Sequence, residues 1–236
     1  MKALLLITFS FMTFSVYSQK TVDVGKENLP LTSNLFYTVN GVPFSNYKYV
    51  KLVEGTPYFD DNWMRGRIIM SKGSIYDSIS VRIDLLENAL HYLDKEGNEM
   101  VATSPVKSIW LIDSITGKRY QFDHTLYMEL TPMPAPAWYQ LLDSGRVILY
   151  KKFSKTINED KPYNSAITEQ RMLTTYSYVL KVNNVLFPVK KLKDLPNLLQ
   201  DKQQELATFI QNKSLSGRSE ENYIDLISYY NSFFNK

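Results

Sequence analysis

The clearest pattern in the chain is an alternation of apolar and polar residues between positions 75 and 85. The odd-numbered positions are apolar, with Asp77 as the one exception, and comprise Ile75, Ile79, Val81, Ile83 and Leu85. The even-numbered positions are Tyr76, Ser78, Ser80, Arg82 and Asp84. Because side chains alternate between the two faces of a strand, the pattern predicts a strand with one buried face. A slip of one residue would bury Arg82 and Asp84, so we expect this strand to fix the register of its neighbours.

Shorter patterns predict further strands on both sides of this stretch. They cover residues 36–39, 42–44, 47–53, 66–70, 89–93, 100–103, 106–112, 119–123, 138–142, 147–153, 176–182 and 185–189. Short polar turns separate most of them, so neighbouring strands must be mostly antiparallel. Pro43 cannot donate to a ladder, which places its strand at an edge. The proline-rich segment 131–138 predicts a stiff connector, and the polar, aperiodic segment 154–170 predicts a long loop or a short helix.

The C-terminal part of the chain changes to helical periodicity. Asp194 before Leu195 and Pro196 is typical of a helix start, and Asp201 resembles the first residue of a capping box. The final helix is predicted from apolar residues at helical spacing, namely Tyr223, Leu226, Ile227, Tyr230, Phe233 and Phe234. The whole pattern predicts a mainly β (α+β) fold, an antiparallel meander forming a barrel-like or sandwich-like body with two or three C-terminal helices packed on it.

The N-terminus has the features of a secretory signal peptide. Lys2 precedes an apolar run over residues 3–16, and the small residue Ser18 follows, which predicts a signal peptide at 1–18. The alternative is an uncleaved anchor, but the run is shorter than the roughly 20 residues that span a bilayer. We expect 19–34 to be a disordered lead-in and 35–236 to be one β-rich domain whose helical part covers about 192–234. The mature protein is therefore expected to be periplasmic or extracellular, and not integral to the membrane.

Composition narrows the compartment and the partners. The chain has no cysteine, which excludes disulfides and thiolate nucleophiles and favours a bacterial envelope protein over a secreted eukaryotic one. There are 27 basic and 24 acidic residues, and removing Lys2 with the signal peptide leaves 26 against 24, a formal charge of +2. This balance gives no general reason to expect nucleic acid or an anionic membrane as a partner.

Four segments also resemble a known group of proteins. They are GTPYFDDNW followed by RG, then VRIDLLENALHYLDKEGNEM, then WYQLLDSGRVILYKK, and finally DKQQELATFIQNKSLSGRSEENYIDLISYYNS. This set, which runs from about residue 36 to 232, resembles exported bacterial envelope proteins of unknown function. The resemblance implies a single exported module with a β-rich body and a helical C-terminus. It implies no activity, and no catalytic residue is carried over from it.

The residues offer few catalytic or metal-binding patterns. The two histidines, His91 and His124, lack any HExxH or similar spacing, so we interpret them as unrelated surface residues and expect neither a metal nor another cofactor. There is no GxSxG motif for a serine hydrolase. Asp60 and Asp61, or Glu54 with Asp60, offer carboxylate pairs for a glycosidase, although adjacent aspartates in a loop more often form turns.

The remaining candidate chemistry is aromatic. Several aromatic rings are expected in or beside loops, where they would bind an envelope protein, a glycan or a lipid. Arg65 would add a charged contact. The candidate binding residues are Tyr58, Trp63, Arg65, Trp138 and Tyr139. The alternative is that the rings cover the ends of the sheet. The leading hypothesis is a non-enzymatic exported binding or structural module. The others are a carrier of an apolar ligand between sheet and helices, and a hydrolase using Asp60, Asp61 or His91.

Overall fold

The fold is taken from a computed structural model, which describes residues 21–23, 41–43, 52–161, 163 and 168–234. Thirteen strands lie in one sheet within this part of the chain. Their bounds are β1 Thr21–Asp23, β2 Gly41–Pro43, β3 Leu52–Glu54, β4 Met64–Met70, β5 Ile75–Asp84, β6 Ala89–Leu93, β7 Glu99–Ala102, β8 Val106–Ile112, β9 Arg119–His124, β10 Trp138–Asp143, β11 Val147–Asp160, β12 Glu169–Val182 and β13 Val185–Val189. The predicted strand at 36–39 and the signal peptide lie outside the described residues.

The sheet confirms the predicted antiparallel architecture, and it consists of two meanders, β4–β7 and β8–β13, which meet where β8 returns to pair with β4. Its main path runs β13-β12-β11-β10-β9-β8-β4-β5-β6-β7-β2, and each neighbouring pair on this path is antiparallel. The two end strands of the path, β13 and β2, do not pair, so the described sheet is open rather than closed into a barrel. β2 contains Pro43 and is an edge strand, as its missing N–H predicts.

Two short strands outside this path pair in parallel with strands that belong to it. β3 adds to β12, and β1 adds to β5 at Ile75–Asp77. β1 lies within the segment that was expected to be a disordered lead-in. β1 can pair with β5 there because β6 pairs only with residues 81–84 of β5, which leaves the earlier part of that edge of β5 open.

The strand β5 contains a bulge that the alternation did not predict. Gly66 of β4 pairs with Ile79 and Ile68 pairs with Tyr76, so Asp77 and Ser78 together face the single residue Arg67. Ser78 has a φ of 62°, and beyond it the facing of the side chains is reversed. Tyr76 is therefore buried, and Asp77 leaves the apolar face on which the sequence pattern had placed it.

The prediction of a loop or short helix at 154–170 is wrong for residues 154–160 and 169–170, which are strand. β11 and β12 form a hairpin paired over 14 residues, from Val147 with Val182 to Asp160 with Glu169. The far half of this hairpin is largely exposed, with Thr156 and Thr174 among its exposed residues. Since neither face there is consistently buried, its sequence lacks the apolar alternation that marks a strand.

One face of the sheet forms the main core. Over β4–β9 the sheet curls on itself around the fully buried side chains of Ile68, Ile109 and Phe122. The curl brings Trp138, at the start of β10, to the turn between β5 and β6, where its Nε1 donates a hydrogen bond to the Asn88 carbonyl at 3.2 Å. The result is a sandwich-like body in which both halves of the curled sheet contribute to one interior.

The C-terminal helices cover the other half of this face. They are α1 Leu195–Leu198, α2 Gln203–Asn212 and α3 Glu220–Ser232, with 3-10 turns at Thr125–Tyr127, Leu192–Asp194 and Gln200–Lys202. Buried side chains from the helices and from β11–β13 fill the space between them; the fully buried ones include Leu149, Leu180, Leu192, Leu195, Leu206, Leu226 and Ile227. This confirms the predicted packing of helices on the sheet. Phe233 and Phe234 follow the end of α3 and remain about two-fifths exposed, at 38% and 41%.

The predicted capping box at Asp201 is absent. α2 begins at Gln203 with Lys202 as its N-cap. The Asp201 carboxylate instead accepts a hydrogen bond from the Tyr230 hydroxyl of α3, at 3.0 Å to the nearer oxygen. The residue therefore links the 3-10 turn before α2 to α3 and does not cap a helix.

Candidate functional site

Tyr58, Arg82, Asp84, His91 and Glu99 form a polar network on the face of β5–β7 opposite the core, beside the loop before β4, and we call it the His91 cluster. Glu99 on β7 accepts hydrogen bonds from Arg82 Nη2 at 2.7 Å, from His91 Nδ1 at 2.6 Å and from the Tyr58 hydroxyl at 3.2 Å. A carboxylate can only accept, so Nδ1 of His91 carries the proton. The cluster therefore ties the loop before β4 to β5, β6 and β7.

The surroundings in the His91 cluster favour the ionised form of the Glu99 carboxyl and disfavour the ionised form of the Asp84 carboxyl. Burial opposes the charge on Glu99, but hydrogen bonds from Arg82 and His91 outweigh it and hold the pKa of that carboxyl below its ordinary value. Burial raises the pKa of Asp84, although the Glu87 and Leu86 amides donate to its carboxylate at 2.8 and 2.9 Å. Burial also raises the pKa of the Tyr58 hydroxyl.

Arg82 is held between two aromatic rings of the same loop. Its guanidinium carbon lies 3.8 Å from the Tyr58 ring centre and 4.4 Å from that of Trp63. Cation–π contacts of a partly buried arginine stabilise its position. Two of the predicted binding residues, Tyr58 and Trp63, thus pack on a side chain of the protein itself, and Tyr58 is only 6% exposed.

The His91 cluster is arranged for structure more than for catalysis. His91 is 2% exposed and lies between two carboxylates, with Nδ1 on Glu99 and Nε2 at 3.9 Å from Asp84. Because the ring separates the carboxylates, the three groups do not converge on one point. Asp60, which with Asp61 was the other candidate for catalysis, accepts a hydrogen bond from the Asn62 amide at 2.8 Å, which is the turn geometry that the alternative interpretation expected.

Acidification is expected to weaken the His91 cluster through Glu99. A carboxyl whose folded pKa is below its ordinary 4.5 stabilises the fold above that pH, and this stabilisation is lost as the pH falls through the folded pKa. Asp84, with its raised pKa, contributes in the opposite direction in both wild type and variant. We therefore expect the free energy of unfolding below pH 4.5 to fall less steeply in Glu99→Gln than in the wild type, measured by urea denaturation. Equal slopes for the two proteins would contradict this assignment.

The expectation that both histidines lie on the surface is wrong. His124, at the end of β9, is 8% exposed, and its ring packs edge-on against Trp138 with centres 4.7 Å apart. Burial lowers the pKa of this histidine. Trp138 and Tyr139, two further predicted binding residues, are 3% and 4% exposed and lie in separate hydrophobic clusters. Their rings are therefore buried within the fold.

The face of the sheet opposite the core carries a different constellation, which we call the arginine–tryptophan face. It consists of Arg65 and Arg67 on β4, Trp110 and Ile112 on β8, and Arg119 on β9, all of them exposed. Two cross-strand rows organise it. Arg65 pairs with Ile112, which pairs with Arg119, and in the next row Arg67 pairs with Trp110.

The bulge in β5 positions two of these arginines. Arg67 Nε donates to Asp77 at 2.5 Å, and its guanidinium lies 5.6 Å from the Trp110 ring centre. Arg65 Nε donates to the Ser78 hydroxyl at 3.1 Å. Without the extra residue of the bulge, Asp77 and Ser78 would not both lie beside β4 on this face. The residue that broke the alternation therefore helps to build the site.

The arginine–tryptophan face lines a groove with an excess of positive charge. The groove has a volume of about 620 Å³, and its lining carries three arginines against one carboxylate, that of Asp77. Trp110 and Ile112 at its centre are 42% and 40% exposed. Among the residues that the structure describes, Arg119 has no acidic partner within ion-pair distance. Such a surface favours ligands that combine anionic groups with an apolar face.

Of the predicted binding residues, only Arg65 belongs to this face. The sequence analysis missed Arg67, Trp110, Ile112 and Arg119. The segment 106–112 is apolar at most positions, so periodicity does not reveal which parity faces outward. Asp77, the one charged residue among otherwise apolar alternate positions, was the available signal that the neighbouring strand carries a cation.

Searches for metal-binding groups, for membrane-spanning helices and for related proteins complete the description of the chain. In the part of the chain that the structure describes, no three His, Asp or Glu side chains are grouped so that they would hold a metal ion. No described helix combines the length and the apolar character needed to cross a membrane. Searches of this chain against protein-family models, curated proteins and solved structures each gave no match.

Proposed function

We propose that the chain is a non-enzymatic exported binding module whose arginine–tryptophan face takes an anionic partner. The export part of the proposal rests on the signal peptide expected at residues 1–18. The binding part rests on one observation, the exposed Trp110 and Ile112 with three arginines on the two neighbouring strands of one sheet face. Exposed tryptophan and arginine are the residues that contribute most strongly to binding surfaces.

The burial of the alternative catalytic groups supports a binding role over hydrolysis. A general acid or base must come within hydrogen-bond distance of the substrate. His91 is almost fully enclosed, and its Nδ1 proton is held by Glu99 at 2.6 Å. The arginine–tryptophan face, by contrast, is exposed and only partly neutralised by Asp77.

Binding of anionic probes to the purified protein tests the proposal. Polygalacturonate, poly-L-glutamate and phosphatidylglycerol vesicles present anionic groups on sugar, peptide and lipid. We expect the wild type to bind at least one of them, and the double variant Arg65→Gln/Arg119→Gln to bind it at least about tenfold more weakly. The loss of one charge-assisted hydrogen bond, about 1.5–3 kcal/mol, is sufficient for this change. Isothermal titration calorimetry measures it.

A charge-matched control separates a specific face from general attraction. Lys190→Gln/Lys193→Gln removes two exposed cations from the end of β13 and the following turn, and it should leave the affinity within about twofold because exposed charges are screened over about 10 Å at 0.1 M salt. Binding of none of the three probes, or equal loss in the two double variants, would refute the proposed site.

A further inference from the structure

We infer that the partner of the arginine–tryptophan face is an acidic polysaccharide, a chain of sugar rings that carry carboxylate groups. The inference rests on the proposed function and narrows it to one ligand class. The backbone pairing of the face, its apolar centre and the spacing of its arginines distinguish this ligand from an acidic peptide and from an anionic membrane.

The backbone of the face is already paired on both sides. β4 pairs with β5 and β8, β8 with β4 and β9, and β9 with β8 and β10. Extended peptides commonly gain affinity by adding a strand to an exposed sheet edge, where main-chain groups are open. Here a peptide would be limited to side-chain contacts, at the full entropic cost of ordering a flexible backbone.

The apolar centre of the face fits a rigid amphipathic ring. Trp110 and Ile112 are two residues apart on β8, so their Cα atoms are about 7 Å apart along the strand. Both side chains are about two-fifths exposed, at 42% and 40%. A sugar ring offers a C–H face to the indole and to the isoleucine while its hydroxyl groups stay in water. Because the ring is rigid, it loses little conformational freedom on binding.

The arginines are placed to meet carboxylates on both sides of such a chain. Arg65 and Arg119 flank Ile112 from the strands on either side, about 10 Å apart at two strand spacings. Each planar guanidinium can bind a carboxylate through two parallel hydrogen bonds. A membrane presents its charges on a broad surface, whereas these side chains line a groove of about 620 Å³.

Defined oligomers test the ligand class. The probes are a galacturonate oligomer, its fully methyl-esterified form and a glutamate oligomer with the same number of carboxylates. We expect the galacturonate oligomer to bind at least about tenfold more tightly than each of the other two, because only it supplies both carboxylates and sugar rings. Calorimetry with the purified protein gives the three affinities.

Trp110 variants show whether the rings pack on the indole. Trp110→Ala should weaken binding of the galacturonate oligomer at least about tenfold, and Trp110→Phe should retain most of the affinity because an aromatic face remains. Tyr176→Ala removes an exposed ring elsewhere, on β12, and should have no effect. If the glutamate oligomer binds as tightly as the galacturonate oligomer through Arg65 and Arg119, the ligand class is wrong and the proposed function stands. If no anion binds, both are wrong.

Discussion

Replacing Glu99 with alanine is expected to lower the free energy of unfolding by about 3 kcal/mol. This value is near the lower end of the range of losses seen when one partner is removed from a buried ion pair. Glu99 accepts hydrogen bonds from Arg82, His91 and Tyr58 at 2.7, 2.6 and 3.2 Å. Its removal leaves the Arg82 charge and the His91 Nδ1 proton without this acceptor, at a site where the His91 side chain is 2% exposed and that of Arg82 17%. Urea denaturation at pH 7, followed by circular dichroism, measures the change.

The neighbouring Glu96 provides a matched control for Glu99. It lies in the exposed turn between β6 and β7, so Glu96→Ala should leave the stability nearly unchanged. Glu99→Gln keeps the size of the side chain and one acceptor oxygen, and we expect a smaller loss than for alanine. If Glu99→Ala destabilised the protein no more than Glu96→Ala, the His91 cluster would not hold the loop and strands together as described.

Replacing Asn231 with alanine is expected to cost about 3 kcal/mol as well, since unsatisfied buried groups cost about 1–3 kcal/mol each. Asn231 on α3 is 2% exposed and connects the helix to the turn between β10 and β11. Its Oδ1 accepts from the Val147 amide at 3.0 Å, and its Nδ2 donates to the Val147 carbonyl at 3.1 Å and to Asp143 at 3.2 Å. The variant removes all three contacts. The same denaturation experiment applies.

Two further variants test this docking of α3. Ser228→Ala changes an exposed residue of the same helix and should have little effect. Gly145→Ala should be destabilising, because a Cβ at Gly145 would lie 2.6 Å from Asn231 Cγ. Since the two residues are in contact, the effects of Gly145→Ala and Asn231→Ala should not be additive. Additive effects would indicate that Asn231 does not pack against this turn.

The sequence predicted the parts of the fold in which one periodicity dominates. The alternation from Ile79 to Leu85 and the helical spacing from Tyr223 to Tyr230 each mark a face that packs in the core, and the structure buries those apolar residues. The prediction of a single buried face is wrong at Asp84, which is 3% exposed because the loop before β4 pairs with β5 there. The far half of the β11–β12 hairpin escaped prediction because its strands are stabilised by pairing with each other and not by burial of one face. The bulge at Asp77 and Ser78 depends on the pairing with β4, which a local pattern does not contain.

The candidate site was predictable only in part, for the same physical reason. Arg65 was recognised from its position near Trp63, but the two side chains have different partners, Ser78 for Arg65 and Arg82 for Trp63. Arg119 and Trp110 become neighbours of β4 only through the order β9-β8-β4 in the sheet. The buried state of His91 likewise depends on Glu99, eight residues away on the next strand. These contacts are set by topology, which residue types alone do not reveal.

The indole N–H signals of the tryptophans measure the central claim, that the arginine–tryptophan face is the binding surface. The chain has three tryptophans, and they differ in environment, because Trp138 is buried, Trp63 packs on Arg82 and Trp110 lies on the face. In a proton–nitrogen NMR titration with the galacturonate oligomer, assigned with Trp110→Phe, we predict that the Trp110 signal shifts progressively while the other two stay in place. A Trp110 signal that does not move, or larger shifts of Trp63 or Trp138, would contradict the account.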